Sequence, residues 1–223
     1  MPAREDSADG AGTTKSATTQ RKLLDAGARV FANVGYRDAG IREICKEAGV
    51  NQASVNYHFG SKIELYSAVL QHAFDEAQPA WPMPLFEDAP ENPERQLRSW
   101  VRWFMKQMIG DNLAGQLISA EMVSPTPAFD DLIDRSMHPI WTEVTKMVGA
   151  LLGADPGSDA VRMSTSSIFG QCVLYRNCHH VVDRLDAMPD AKTEDELADR
   201  LADHIATFTL AGIRAQASHR KPS

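Results

Sequence analysis

The segment that most constrains the fold is residues 35–63, with the sequence GYRDAGIREICKEAGVNQASVNYHFGSKI. Its first part predicts a helix over Ile41–Ala48, because apolar residues recur there at spacings of three and four and form one stripe. Gly49 follows this helix, and a glycine just past a helix end adopts positive φ without strain. The segment therefore predicts a short helix, a tight turn and a new helix.

The second helix is predicted over residues 52–59. Asn51 is a good N-cap, since its side-chain oxygen can accept from free amides of the first turn. At 100° per residue, Phe59 falls close to Val55 on the inward face. The far side carries mainly short polar side chains, which suit a groove: Ala53, Ser54, Asn56 and Tyr57.

In a helix-turn-helix the second helix lies in the major groove, and its early residues meet base edges. Gln52 and Asn56 are the predicted base readers, because Gln and Asn can pair bidentately with adenine. The Ala53 methyl suits a thymine methyl, so an A·T-containing half-site is expected. The side chains of Tyr57, His58 and Lys62 and the amides near Ser61 are better placed for phosphates. Contacts to phosphates fix the register of the protein on DNA. The predicted DNA-binding set is Arg42, Asn51, Gln52, Ala53, Ser54, Asn56, Tyr57, His58 and Lys62.

Spacing alone leaves two interpretations open. Helix-turn-helix geometry also occurs in proteins that never touch DNA. The alternative, from another class of protein, is a helical ligand-binding or enzyme-like protein. In that case the helix-turn-helix would be vestigial.

The residues themselves resemble a known family. Residues 18–63 resemble the N-terminal domain of TetR-type transcriptional regulators, a three-helix DNA-binding unit. TTQRKLLDAGARVFANVGY looks like that family's first helix. The family signature after it is present as Tyr57, His58, Phe59 and Lys62.

Two positions depart from the usual family pattern. Ala39 replaces the threonine that opens the second helix, which removes a hydroxyl contact to phosphate. Asn56 replaces a common aromatic residue, which implies a different base preference. Both substitutions resemble the CecR-like subgroup, as do AGVNQASVNYHFGSK, SPTPAFDDLIDRSMHPIW and SIFGQCVLY.

The charge is unevenly distributed along the chain of 223 residues, whose formal net charge is -7. Residues 13–62 hold eight Lys or Arg against four Asp or Glu, a net charge of +4. Residues 63–223 hold fourteen against twenty-three, a net charge of -9. This asymmetry would direct phosphate attraction to one end of the molecule, although such splits are also common on solvated surfaces.

The predicted fold is all-α. Residues 1–17 are predicted to be a disordered tail, 18–62 the DNA-binding domain, 63–217 a helical ligand-binding and dimerisation domain, and 218–223 a C-terminal tail. Thr18 or Thr19 should cap the first helix, and five prolines in residues 78–93 predict a loop near a ligand entrance. Later helices are predicted over 62–77, 94–109, 112–123, 127–152 with a kink at Pro139, 163–185 and 194–217.

The family resemblance implies a homodimer, in which the last two long helices pair with those of a second subunit. Residues of those helices that would permit close approach are Ser167, Gly170, Gln171, Leu174, Cys178, Leu201, Ile205, Phe208 and Gly212. Burial within one subunit is the alternative.

Aromatic and Met side chains in the helical body are candidates to surround an apolar effector. The same residues at helical spacing are also typical of ordinary core. With polar anchors that include His138, the predicted ligand set is Trp100, Trp103, Phe104, Met108, Met122, Met137, Trp141, Met163, Phe169, Tyr175, Arg176 and His179.

Neither a cofactor, a metal site nor catalysis is predicted. Cys172, Cys178, His179 and His180 lack paired CxxC or HxxxH spacing, although a copper or zinc sensor stays open. Nucleophile elbow, phosphate loop and Rossmann motifs are missing. Without a long apolar run or a signal region, the chain is expected in the cytoplasm, with free thiols. The partners predicted are an operator duplex, a second copy of the chain and a small-molecule effector, in a repressor or, alternatively, an activator.

Overall fold

The computed structural model describes residues 9–77, 92–110 and 112–219, with side chains from residue 16 onwards. Across these ranges the secondary structure is helical and includes no strand, which confirms the all-α prediction. The helices are α1 (Asp9–Asp38), α2 (Ile41–Ala48), α3 (Ala53–His58), α4 (Lys62–Ala77), α5 (Pro93–Ile109), α6 (Leu113–Val123), α7 (Pro127–Leu132), a π-helical segment (Ile133–Met137), α8 (His138–Leu152), α9 (Asp159–Asn177), α10 (His179–Arg184) and α11 (Glu194–His219).

The chain divides into two compact units. The first comprises Met1–Ala77 and Gln116–Leu132, and the second comprises Gln78–Gly115 and Ile133–Ser223. This division differs from the predicted boundary after residue 62. The reason is that α4 packs along α1 and α7 packs on α4, so α4 belongs with the N-terminal helices.

The first unit is built around the contact between α1 and α4. Leu23 and Phe31 on α1 and Leu65 on α4 are buried in its core. At Gly27 the helices come so close that an added Cβ would lie 2.8 Å from Val69 Cγ2. A glycine at this position therefore permits the close approach of the two helices.

Helix α1 begins earlier than the sequence predicts. It starts at Asp9 instead of at a cap on Thr18 or Thr19, so residues 9–17 of the predicted tail are helical. Extending an existing helix costs little compared with nucleating one, which lets these residues continue it. Residues 1–8 lie outside the described ranges. Near its other end α1 is interrupted at Gly35, whose φ of 77° is not helical.

The second unit has α5 at its centre, packed against α8, α9 and α11. Leu97, Trp100 and Val101 on α5 are fully buried. The helix begins at Pro93, where Asn92 Oδ1 accepts from Arg95 N at 3.0 Å. Residues 78–91, most of the predicted proline-rich loop and ligand entrance, lie outside the described ranges.

Two later helices differ in detail from the predictions. The kink expected at Pro139 is a π-helical segment just before it, because a proline ring and its missing N–H disturb the preceding turn. Helix α9 starts at Asp159, and the chain leaves helical geometry at Cys178 instead of running on to residue 185. In the described ranges, no helix is both long and apolar enough to cross a bilayer.

Candidate nucleic-acid interface

The turn between α2 and α3 is closed by local hydrogen bonds. Gly49 adopts φ 66° and ψ 36°, and the next amide, Val50 N, donates to Cys45 O at 3.0 Å. Asn51 Oδ1 accepts from Ala53 N at 2.9 Å, which is the capping contact predicted from sequence. The positive φ at glycine and the cap together set the direction in which α3 leaves α2.

Helix α3 presents one face to the core and the other to solvent. Val55 is 1% exposed and anchors the inner face. Tyr57 is 81% exposed, and Ser54 and His58 are half-buried. The predicted base-contacting side chains Gln52, Ala53 and Asn56 are all exposed, as are Asn51 and Arg42. The arrangement leaves this face free to enter a groove.

A side-chain cap starts the next helix directly after α3. Ser61 Oγ accepts from Glu64 N at 3.3 Å and donates to Glu64 Oε2 at 2.7 Å. Only Gly60 and Ser61 separate Phe59 from α4. The end of α3 is therefore tied closely to the start of α4.

Lys62 has a structural partner that the sequence did not reveal. Its Nζ donates to Arg37 O at 3.1 Å and lies 4.8 Å from the centroid of the Tyr36 ring. The amine thus holds the end of α1, in addition to the phosphate contact predicted for it. An ammonium group has three donors, so this bond leaves donors for a phosphate.

The structure separates the basic side chains of the first unit into paired and unpaired groups. Arg21 pairs with Glu76 at 3.0 Å, and Arg29 pairs with Glu47. Among the described residues, four exposed cations of this unit have no ion-pair partner: Lys22, Arg37, Arg42 and Lys46. Sequence reasoning placed neither Arg37 nor Lys46 in the DNA-binding set. Knowing which cations form ion pairs would have identified Arg37 and Lys46 as the unpaired ones. Those ion pairs join residues on different helices, so the sequence does not reveal them.

In the second unit, five of the predicted ligand residues come together as an aromatic cluster: Trp100, Trp103, Phe104, Trp141 and Phe169. Trp100 stacks on Phe104 at 4.9 Å and meets the edge of Phe169 at 5.0 Å, and Trp141 stacks on Phe169 at 5.0 Å. Trp100 Nε1 and Thr165 Oγ1 are buried without a hydrogen-bond partner among the described residues. A buried donor without a partner costs about 1–3 kcal/mol, so this cluster favours an acceptor.

Other predicted ligand residues lie elsewhere or have other partners. Met108 and Tyr175 pack against the core of the second unit, and Met137 lies in the π-helical segment. Met122 is in the first unit and Met163 is 64% exposed on α9, so the structure does not bring them to the cluster. The predicted polar anchors have other partners or lie at the surface. Arg176 donates to Met108 O and Gly110 O at the end of α5, and His179 contacts Arg176 O. His138 is exposed.

The cysteine and histidine residues do not converge. Burial raises the pKa of the Cys172 thiol to about 12, which keeps it protonated and a poor metal ligand. His179 Nδ1 lies 3.0 Å from Arg176 O. Within the described ranges, no three His, Cys, Asp or Glu side chains are grouped so that they could hold a metal ion. All three cysteines are free.

A groove runs between α9 and α11 in the second unit. Phe208 and Met163 line it and are 65% and 64% exposed, beside Ser167, Gln171 and Gly212. Leu201 and Ile205, which the sequence placed on a dimer face, are instead buried in the core. They face inward because α11 packs extensively on α5.

An exposed second helix, a glycine turn and unpaired cations in the same unit are the features of a helix-turn-helix regulator that binds DNA. Residues 23–69 match the family model of bacterial regulatory proteins of the tetR family. Residues 93–213, more than half of the chain, match the C-terminal domain of the HTH-type transcriptional dual regulator CecR. The chain belongs to the TetR family of transcriptional regulators, in the group with a CecR-type C-terminal domain.

Individual relatives agree with this assignment. The chain is 27% identical over 176 residues to CecR of Shigella flexneri, covering 74% of this chain and 78% of the relative. Two solved structures share its fold. FadR of Bacillus subtilis in complex with stearoyl-CoA has a TM-score of 0.63 and 18% identity, covering 86% and 98% of the two chains. AibR in complex with isovaleryl coenzyme A and operator DNA has a TM-score of 0.61 and 18% identity, covering 85% and 97%.

Proposed function

We propose that this protein is a ligand-responsive repressor that binds a two-fold symmetric operator as a homodimer and is released by a small molecule with an apolar acyl part. The observation that carries the proposal is the exposed face of α3, where Gln52 and Asn56 are free to meet base edges. A vestigial helix-turn-helix domain is disfavoured, because exposed cations of the same unit have no ion-pair partner among the described residues. The relatives are transcriptional regulators, so we propose that this protein has no catalytic activity. We also propose that it is cytoplasmic, because its operator DNA would be there.

The homodimer is supported by the groove between α9 and α11. Phe208 and Met163 expose large apolar surface there, and Ser167, Gly170 and Gly212 leave room for another helix to approach. A single recognition helix contacts only a few bases, and a two-fold dimer doubles that number. For such a dimer we expect two half-sites about 34 Å apart, one turn of DNA.

The effector site is supported by the aromatic cluster. Trp100, Phe104, Trp141 and Phe169 offer flat apolar surfaces, and the indole N–H of Trp100 has no partner among the described residues. An apolar molecule with a carbonyl acceptor matches both features. FadR and AibR were solved with acyl-CoA molecules, and a fatty acyl thioester has this chemistry. We therefore propose an acyl-CoA or a similar acyl compound as the effector class.

Release follows from a difference in affinity between two states. An effector that favours the pose in which the two α3 helices no longer match successive major grooves weakens operator binding. A coupling free energy of about 1–3 kcal/mol corresponds to a change of roughly 5- to 150-fold. The relative CecR is a transcriptional dual regulator. Activation of transcription is therefore the alternative to repression for this protein.

The test is selection of random duplexes with purified protein at about 150 mM salt, where binding to arbitrary sequences is weak. We expect an enriched motif with two-fold symmetry, and bound protein of dimer mass. Short- and long-chain acyl-CoAs are then titrated against that operator, with free coenzyme A as the matched control. An asymmetric or absent motif would contradict the operator and dimer proposal, whereas equal effects of acyl-CoA and free coenzyme A would contradict the effector class alone.

A further inference from the structure

The side chain of Arg176, on α9, ends where α5 stops and α6 starts, within the second unit. Its Nη1 donates to Met108 O at 3.2 Å and to Gly110 O at 2.8 Å. The last carbonyls of a helix are unpaired acceptors and carry partial negative charge, so a guanidinium is favourable there for both reasons. Arg176 therefore fixes the end of α5 relative to α9.

The same guanidinium lies over Gly115, in the first turn of α6. Gly115 is buried, and a Cβ added to it would lie 2.8 Å from Arg176 Nη2 and 2.9 Å from Arg176 Cζ. Asn112 Oδ1 accepts from Gly115 N at 2.7 Å, and Asn112 Nδ2 donates to Gly110 O at 3.1 Å. Only a glycine at position 115 leaves room for a guanidinium that is also bonded to the end of α5. Met108, Gly110, Asn112 and Gly115 form the α5–α6 junction.

Two contacts therefore join α5 to α9. One is in the aromatic cluster, where Phe169 on α9 meets Trp100 at 5.0 Å and Phe104 at 5.3 Å. The other is Arg176, which follows Phe169 by two helical turns, about 10 Å along the axis. Met108 follows Trp100 by a similar length of α5. A ligand beside Phe169 that moves α9 away from α5 would therefore strain the hydrogen bonds of Arg176.

Helix α6 continues from this junction into the first unit. It begins at Leu113, in the second unit, and runs without a break through Gln116, where the first unit resumes, to Val123. A short α-helix is stiff, because its backbone hydrogen bonds join each turn to the next. The direction of the first turn therefore determines the direction of the rest of α6.

In the first unit, α6 is joined to α4 through α7. Glu121 Oε2, near the end of α6, accepts from Thr126 N at 2.7 Å just before α7 begins. On α7, Asp131 Oδ2 accepts from Ser67 Oγ of α4 at 3.0 Å. Only residues 59–61 separate α4 from α3. Hydrogen bonds thus connect α6 to the helix that directly follows the DNA-reading helix.

We propose that Arg176 is a positioning residue for operator binding, which holds the first turn of α6 and links its position to the aromatic cluster. The inference rests on the operator and effector of the proposed function. Base reading tolerates little displacement of α3, whereas attraction to phosphates depends mainly on charge. Loss of the Arg176 contacts therefore lowers operator affinity more than affinity for arbitrary DNA.

The first experiment tests the α5–α6 junction with Gly115→Ala, Arg176→Ala and the double variant. Alanine normally stabilises a helix relative to glycine. We expect Gly115→Ala alone to lower the midpoint of urea unfolding, because the new methyl group displaces the guanidinium. In the Arg176→Ala background the same change should lower the midpoint less or raise it. An equal effect of Gly115→Ala in both backgrounds would overturn the proposal, because the guanidinium would then not be fixed over Gly115.

The second experiment measures operator and random-duplex affinity of these variants without effector, well below their melting temperatures. We expect Arg176→Ala and Gly115→Ala each to weaken operator binding about 5- to 20-fold, within the usual range of coupling between distant sites, with little change for a random duplex. The double variant should bind no more weakly than Arg176→Ala, because both substitutions release the same turn of α6.

Two further variants serve as controls. Arg162→Ala removes another arginine of α9, which is exposed and pairs with Asp159 of the same helix. We expect its operator affinity and its unfolding midpoint to stay unchanged. Arg176→Lys keeps the charge and can still donate to the end of α5, so it should recover part of the operator affinity that Arg176→Ala loses.

The acyl-CoA that weakens operator binding most in the wild-type protein is then added to Arg176→Ala. We expect a smaller further loss, because more of the variant already occupies the released state. If no acyl-CoA acts on the wild-type protein, the proposed effector class is wrong, and the affinities without effector still decide the role of Arg176.

Two results of the affinity measurements would overturn the proposal. One is an unchanged operator affinity in both single variants. The other is a parallel loss of operator and random-duplex affinity that Arg176→Lys does not reverse, which would give Arg176 a role in stability only. Failure of the wild-type protein to select any operator motif would instead contradict the proposed function itself.

Discussion

At the scale of single residues, we propose that the exposed face of α3 divides into side chains that read bases and side chains that contact the DNA backbone. Gln52 and Asn56 carry exposed amides, each able to donate and accept towards one base. Tyr57 is 81% exposed beside them and suits a phosphate. The two kinds of contact make different experimental predictions.

Replacing Gln52 or Asn56 by Ala should relax base preference at one position of each half-site. A lost bidentate contact is worth about 1–3 kcal/mol of discrimination, while random-duplex affinity stays nearly constant. Repeating the duplex selection with each variant measures the change. Gln20→Ala, an exposed amide on α1, is the control that should retain the original motif. Unaltered motifs in both α3 variants would mean that other residues read the bases.

Replacing Arg37 by Ala should weaken binding to every duplex by a similar factor. Its side chain is exposed without an ion-pair partner among the described residues, so it is free for phosphate. Loss of one phosphate contact reduces the slope of log affinity against log salt by about 0.9. Arg21→Ala is the control, because Glu76 already occupies Arg21. An unchanged slope in Arg37→Ala would place that side chain away from DNA.

The Asn51 cap was predictable because its partner is two residues away in sequence. The link between Lys62 and Arg37 O was not, because the partners are 25 residues apart and meet only when α1 and α4 pack. Lys62 was assigned to phosphate from its position just after the second helix, and it also belongs to the family signature. Short-range hydrogen bonds follow from residue type and spacing, and long-range ones follow from packing.

At the scale of helices, the crossing of α1 and α4 determines how α3 is supported. Gly27 allows the two helices to touch, since a Cβ there would lie 2.8 Å from Val69 Cγ2. Val69 is fully buried and β-branched, so it has little freedom to move aside. The spacing of α1 and α4 is therefore sensitive to a single methyl group.

Gly27→Ala should destabilise the protein by about 1–3 kcal/mol, the usual cost of overpacking, despite the better helix propensity of alanine. Urea unfolding followed by circular dichroism measures this difference. Gly40→Ala is the matched control in the same unit, because nothing lies within 4 Å of an added Cβ there. A Gly27→Ala protein at least as stable as the parent would show that α1 and α4 can separate at no cost.

The bounds of most helices were predicted to within a few residues. Apolar spacing and prolines gave α4, α5, α6 and α11 close to their observed ranges. The break at Cys178 and the π-helical segment before Pro139 were not predicted in that form. Neither the π-helical segment nor the break at Cys178 contains a glycine. Helix propensity alone therefore predicts an uninterrupted helix through Cys178.

At the scale of the whole molecule, the groove between α9 and α11 is the proposed dimer surface. Phe208 is 65% exposed there, so its replacement should leave the fold of one subunit intact. Phe208→Glu should shift the protein to monomers, because a carboxylate in an apolar interface is unfavourable. Analytical ultracentrifugation measures the mass.

The same variant should bind the operator on the order of 100-fold more weakly, since two half-sites are then bound separately. Val123→Glu is the control, as Val123 is 81% exposed at the end of α6 and lies outside the groove. A dimeric Phe208→Glu protein would place the interface elsewhere.

The sequence by itself determined the helix-turn-helix, the inner position of Val55, the capping role of Asn51 and the all-helical class. These depend on spacing, turn residues and caps within a few positions, which act before distant parts of the chain meet. Only the tertiary structure decided which cations remain unpaired and that Leu201 and Ile205 face the core. Those outcomes depend on which helix faces meet, and a helical pattern shows that a face is apolar without showing what covers it.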